Sequence, residues 1–218
     1  HQSISLDSSI PEEQMVMELI DSSPFQRLRR IKQLGPAFLT FHGAESSRFT
    51  HSLGVFHIAR RAINHLSQIN SKLKEHKFIL YGAALLHDLG HGPLSHTSEE
   101  IFKIKHESWT AKLIHSNDEI AMILDKYGEG NAKAISDLIQ SREAKEKSII
   151  SLISSQLDCD RLDYLMRDSY TTGARYGQLD IDRIISAMTI SPVGDLAIHP
   201  KGLMAVEHYL VIRNLMYS

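Results

Sequence analysis

Leu85-Leu86-His87-Asp88-Leu89-Gly90-His91-Gly92-Pro93 is the stretch on which the fold turns. Phe78 to Leu89 reads as a buried helix, and Gly90-His91-Gly92-Pro93 stops it. A carboxylate in the last turn of a helix faces partial negative charge, so Asp88 needs a positive partner. His87 and Asp88 are adjacent and can reach one ion near the helix end. Imidazole and carboxylate together suit a divalent metal of borderline hardness. An apolar helix, a His-Asp pair, then Gly-His-Gly-Pro and a further His96, all within a few residues, is poor core material.

Outward from this segment the pattern stays helical. Pro11 to Ile20 is a short amphipathic piece. Ser23 caps a helix expected over Pro24–Leu34, stopped at Gly35-Pro36. Thr50 caps a second, whose Leu53, Phe56, Ile63 and Leu66 recur at helical spacing. Trp109–Ile123, Ala132–Ile139, Ile149–Asp168 and Leu203–Ser218 complete the helical set. Thr189-Ile190 and Leu196–Ile198 flank Pro192-Val193-Gly194-Asp195, which predicts a small β-hairpin near residues 189–198. No internal repeat is present. The expected fold is mostly α, a helical bundle around one core.

Composition agrees. A chain of 218 residues buries about 70% of its unfolded surface without help from a disulfide or metal. Hydrophobic content of 42% against 23% charged residues is that of a globular domain rather than a disordered one. The apolar run from Ile79 to His87 is broken by Gly82 and too short to cross a membrane. With 24 basic and 26 acidic residues, bulk charge argues against nucleic-acid binding. Cys159 is the single cysteine, which excludes an intrachain disulfide and points to a reducing, cytoplasmic setting. The first residues show no signal-peptide pattern, there is no initiator Met, and the last helical pattern has no stop signal. Residues 1–218 are therefore expected to be the catalytic core of a longer protein, with the motifs between about 20 and 185.

Nine of the 13 histidines fall between His51 and His115. His51, in Arg48-Phe49-Thr50-His51-Ser52, is a candidate third ligand, and Asp160, in Asp158-Cys159-Asp160-Arg161-Leu162-Asp163-Tyr164, a fourth. Asp160, Tyr164, Arg167 and Asp168 share one helical stripe, expected to wall a polar pocket. His91 is bracketed by two glycines and belongs to a loop beside the ion. His96, Glu99 and His106-Glu107 follow as groups able to handle protons. His57, His65, His76 and His115 lack such context and read as structural. Among the basic residues of Arg27, Arg29, Arg30 and Lys32, Arg29 and Lys32 are the better anion-site candidates.

The spacing His51…His87-Asp88…Asp160 resembles the signature of the HD-domain metal-dependent phosphohydrolase superfamily. Phe25 to Gly35, Gly43-Ala44, Arg48 to Gly54, His87 to His96 and Asp160 to Asp168 resemble its deoxynucleoside-triphosphate triphosphohydrolase, dGTPase-like branch. The resemblance implies an HD-domain helical bundle with His51, His87, Asp88 and Asp160 as ligands to one divalent ion: Mg, Mn, Fe, Zn or Ni. It implies catalytic imidazoles at His91 and His106, supported by His96 and Glu99. Gln33, Arg48, Tyr164, Asp168 and Arg213 are implied substrate contacts, Gln33 and Asp168 at the sugar 3′-hydroxyl and Arg48 at phosphate. Asp21, Gln26 and Arg29 match positions that bind an activating nucleotide in some members. Two departures are Glu99 where Asp is common and Arg161 where Lys is frequent.

The implied activity is hydrolysis of a deoxynucleoside triphosphate at the α-phosphate, giving deoxynucleoside and triphosphate. A nucleotide effector and a homo-oligomer, dimer or tetramer, are implied with it. The competing expectations are a nucleotidase or phosphodiesterase of the same superfamily, or a module that binds nucleotide or single-stranded nucleic acid without turnover. Which histidine gives the proton to the leaving oxygen stays open between His91 and His106.

Overall fold

A computed structural model describes residues 3–140, 146–173 and 178–217. Pro11 at the first helical position starts α1 (Pro11–Asp21), and Ser23-Pro24 starts α2 (Ser23–Gln26), which tightens into a 3₁₀ turn at Arg27–Arg30. The expected helix to Leu34 is cut short here. Arg48 N donates to Ile31 O and Gln33 N to Ser46 O, each at 2.8 Å, and Lys32 bridges antiparallel to Ser47. These long-range backbone bonds replace the i to i−4 ladder, so Ile31 is extended.

α3 (Arg48–Ile69) is the central helix. Its cap is Ser47, whose Oγ accepts from Thr50 N at 3.3 Å; Thr50 lies inside the first turn. The earlier start brings Arg48 onto the helix as well as His51. α4 (Lys77–Leu86) packs along α3, with the Phe56 and Tyr81 rings edge to face at 5.2 Å. It ends at Leu86, so His87 and Asp88 stand at its very terminus.

The chain then forms α5 (His96–Phe102), α6 (His106–Ser116), α7 (Asp118–Lys126), α8 (Asn131–Ile139), α9 (Lys147–Ile153) and α10 (Cys159–Thr172). Two expected long helices are each divided. Asn117 caps α7 by accepting from Ile120 N, and Asp158 caps α10 by accepting from Arg161 N at 2.8 Å. Both caps satisfy orphan N–H groups that an uninterrupted apolar pattern hides. α5 and α11 (Ile181–Ala187) had no separate sequence signal. The hairpin forms from β1 (Met188–Ile190) and β2 (Leu196–Ile198), registered Thr189 against Ala197. α12 (Leu203–Met216) is the final helix.

α10 lies against α3 on one side while α4 covers another. One apolar core runs through Leu19, Phe25, Phe56, Leu66, Leu85, Leu162 and Ile184, all fully buried. The packing of α3, α4 and α10 brings one end of each helix to the same point. Among the described residues no helix is long and apolar enough to cross a membrane.

Candidate metal centre

The ends of α3, α4 and α10 bring together four side chains that could ligate a metal. His51 is fully buried, with Nε2 2.9 Å from Asp160 Oδ1 and 3.6 Å from Asp88 Oδ2. His87 Nε2 lies 3.3 Å from His51 Nε2, 3.5 Å from Asp88 Oδ1 and 3.8 Å from Asp160 Oδ1. Ligands about 2.0–2.2 Å from a common ion stand roughly 3.0–3.6 Å apart, so His51, His87 and Asp88 could hold one divalent cation, with Asp160 beside them against His51.

Both rings are held in the tautomer a metal needs. His87 Nδ1 donates to Ala84 O at 3.0 Å, and His51 Nδ1 to Asp163 Oδ2 at 2.8 Å, leaving each Nε2 for the ion. Asp163 is fixed in turn by Arg167, whose Nε and Nη2 reach its two oxygens at 2.8 and 2.9 Å. Gly54 on α3 makes this possible: a Cβ there would fall 1.8 Å from Asp163 Oδ1. Burial opposes charge on His51, but the bonds to Asp160 and Asp163 raise its pKa to about 10. A cation is thus favoured at this point.

Asp163 went unread in the sequence, although it stands three residues after Asp160 on one helix. That spacing gives two carboxylates on one face and was the available signal. Arg167 does not wall the pocket beside Asp160 but clamps Asp163 and donates to Thr50 O at 2.9 Å.

Asp88 is 2% exposed. Burial works against its charge, yet Arg48 outweighs it, Nη1 to Oδ2 at 2.6 Å, and the carboxyl stays well below its ordinary range. Arg48 also donates to Ser95 Oγ and Gln33 O, both at 3.2 Å. It is foremost the counter-ion of Asp88, set at the edge of a cleft. Ser95 has φ +50°, a strained value for serine, held while its Oγ donates to Lys32 O at 2.8 Å.

The loop after α4 is pinned from two sides. Gly90 N donates to Thr110 Oγ1 at 2.8 Å, and a Cβ at Gly90 would meet His106 O at 2.3 Å, so α6 can approach closely. Arg27 donates to His91 O at 2.9 Å and to Leu89 O at 2.5 Å. His91 is 1% exposed, and its ring stacks on His106 at 3.8 Å. Burial lowers the His91 pKa to about 4 despite Asp88 nearby. His106 Nδ1 lies 2.5 Å from Glu99 Oε1, and its Nε2 is 3.9 Å from Asp88 Oδ1. His96 Nδ1 lies 3.3 Å from the same Glu99 oxygen.

Two clefts flank the centre. One, of about 420 Å³, is lined by Gln33, Phe41, Arg48, Tyr164 and Asp168 among others. The second, of about 500 Å³, is lined by His87, Lys105, His106, Asp160 and Arg161. Arg213 is not brought to either; its Nη1 donates to Gln156 Oε1 at 2.6 Å on the surface. Gln26 Oε1 accepts from Arg29 Nε at 2.7 Å, and Arg29 covers the Phe49 ring, while Asp21 is the last residue of α1.

The HD-domain family model matches residues 48–168, more than half of the chain and the segment that holds all four candidate ligands. The chain belongs to the HD-domain phosphohydrolase superfamily. It is 44% identical over 207 residues to uncharacterized protein YwfO of Bacillus subtilis, covering 94% of this chain and 47% of the relative. It is 38% identical over 181 residues to the deoxynucleoside triphosphate triphosphohydrolase SAMHD1 homolog of Dictyostelium discoideum, covering 72% and 34%. The crystal structure of a phosphohydrolase from Bacteroides thetaiotaomicron superposes with a TM-score of 0.79 at 32% identity, covering 93% of this chain and 49% of that one. This HD domain thus spans about half the length of the curated relatives it matches.

Proposed function

We propose that this HD domain hydrolyses deoxynucleoside triphosphates at the α-phosphate, releasing deoxynucleoside and triphosphate. One observation carries the proposal. Gln33 Oε1 and Asp168 Oδ1 are buried without a hydrogen-bond partner, and both residues line the 420 Å³ cleft. A buried acceptor left unpaired is costly, and a sugar hydroxyl donates to such groups. Phe41, Tyr164, Leu34 and Met216 give the same cleft aromatic and apolar surface for a base. Similarity to relatives named as triphosphohydrolases supports the same reading.

A divalent ion bound by His51, His87, Asp88 and Asp160 supplies Lewis-acid activation of water and neutralises phosphate charge. The chain's own residues do the rest. As water oxygen bonds to the α-phosphorus, the bond to the 5′-oxygen breaks, and that oxygen takes a proton. His106 is the donor: Glu99 fixes its ring through Nδ1 and leaves Nε2 turned toward the centre. His91, held neutral by burial, serves as a hydrogen-bonding partner. Lys105 and Arg161 face the other cleft and offer cationic groups to the remaining phosphates. His96, Tyr164 and Arg48 border the sugar side. We place an activating nucleotide at Asp21, Gln26 and Arg29, the residues 1–218 as the catalytic core, and the working form as a cytoplasmic homo-oligomer.

The test is direct. The full chain with Mn²⁺ is given each deoxynucleoside triphosphate, with and without added guanine nucleotide, and products are separated by ion exchange. Deoxynucleoside and triphosphate in equal amounts are expected. Inorganic phosphate or a linearised cyclic nucleotide as the product would make it a nucleotidase or phosphodiesterase instead. Oligonucleotide binding without turnover would make it a binding module.

A further inference from the structure

The turn that follows α4 is closed by a side chain from another helix. Thr110, fully buried and one turn into α6, accepts a hydrogen bond from Gly90 N at 2.8 Å and donates one to His87 O at 3.0 Å. A helix end leaves its last carbonyls without partners. Here one hydroxyl takes up the His87 carbonyl and the Gly90 amide together, because a single oxygen both donates and accepts. The two bonded groups flank Asp88, and His87 carries one of them. The fit has no spare room: a Cβ on Gly90 would stand 2.4 Å from Thr110 N and 2.8 Å from Trp109 Cβ.

Thr110 also lies four residues after His106, on the same face of α6. Anchoring its hydroxyl in the turn therefore fixes where the His106 ring stands, and His106 Nε2 comes to 3.9 Å from Asp88 Oδ1. Arg27 ties the same loop to the 3₁₀ turn at Arg27–Arg30, whereas Thr110 ties it to α6. We propose that Thr110 is a positioning residue, whose hydroxyl sets the spacing between the candidate ligands His87 and Asp88 and the proton donor His106. Its effect on turnover rests on the function proposed above; its effects on metal affinity and on the backbone do not.

The test compares wild type, Thr110→Val and Thr110→Ser as full chains. Valine keeps the shape and removes the hydroxyl; serine keeps the hydroxyl. In Thr110→Val, Mn²⁺ affinity and kcat should each fall about 10–100-fold, with KM for a deoxynucleoside triphosphate changed far less. The Gly90 amide of the metal-free variant should also exchange with deuterium faster than in the metal-free wild type. Thr110→Ser should restore all three. Wild-type affinity, kcat and Gly90 exchange in Thr110→Val, with only the thermal midpoint lowered, make Thr110 a packing residue and overturn the proposal. A Thr110→Ser variant that behaves like Thr110→Val overturns it too. Should Thr110→Val not fold, wild type and Thr110→Ser decide: a protected Gly90 amide and equal Mn²⁺ affinity are expected in both, and an unprotected Gly90 amide in either overturns the hydroxyl link. Absence of triphosphate release from every chain, wild type included, sinks the substrate assignment alone, because affinity and exchange still report on Thr110.

Discussion

Asp163 shows how a residue that would not touch the ion can set the strength of a metal site. Its carboxylate accepts from His51 Nδ1 and is itself held by both arms of Arg167. Asp163→Asn keeps the shape but offers an amide where an acceptor is needed. Metal affinity should fall about 10–100-fold, measured by competition with a chromophoric chelator; unchanged affinity would remove Asp163 from the support of the site. Asp168 is a different case. Burial, against the pull of His51, pushes its pKa up to about 6, above an unfolded value of about 3.9. As pH rises from about 4 to 6 the unfolded chain loses this proton first, so stability falls across that window and is flat above it. Asp168→Asn should erase that slope and gain about 2 kcal/mol at pH 7, read from urea unfolding at fixed metal concentration. Under the proposed function the same change weakens the sugar contact and lowers turnover. No gain in stability at pH 7 would contradict the cost assigned to this carboxylate.

At the scale of elements, the crossing of α3 and α10 and the loop after α4 decide the geometry. Gly54 lets α10 approach until Asp163 reaches His51. Gly54→Ala should cost about 1–3 kcal/mol in thermal unfolding and weaken metal binding in the same direction as Asp163→Asn. A neutral effect would mean that the helices adjust freely. Arg27 joins the 3₁₀ turn at Arg27–Arg30 to the loop by two bonds to carbonyls. In Arg27→Ala, amide exchange in the loop after α4 should quicken and kcat should fall more than KM rises, with partial rescue in Arg27→Lys. Equal exchange rates would free the loop from this tether. Much of this level was legible in the sequence. The His-Asp pair at the end of an apolar helix, the glycines after it and the hairpin at 188–198 are local patterns, and local patterns can be read. The ending of the second helix at Arg30, the pairing of Arg48 with Asp88 and the bond from His51 to Asp163 are not local. Each depends on partners brought in by packing, which no periodicity records.

Across the whole molecule, the two clefts differ in character, one with a partly aromatic wall and the other with Lys105 and Arg161. That asymmetry orients a ligand that is flat at one end and anionic at the other. One face of α12 exposes the apolar side chains Met204, Val211 and Leu215. Sedimentation of the full chain should show a concentration-dependent dimer or tetramer; a monomer at all concentrations would count against the proposed assembly. The ligand geometry has one more consequence. His51 and Asp163 are 112 residues apart in sequence, and the candidate ligands come from the ends of three helices, α3, α4 and α10. An ion held there is a clip across the middle of the fold, joining the first half of the chain to the second as a disulfide would in an oxidising compartment. At a free ion concentration of 1,000 times Kd, such a clip adds about 4 kcal/mol to stability. A chelator should therefore lower the unfolding midpoint of the entire domain in one transition, and the loss should be absent in His87→Ala.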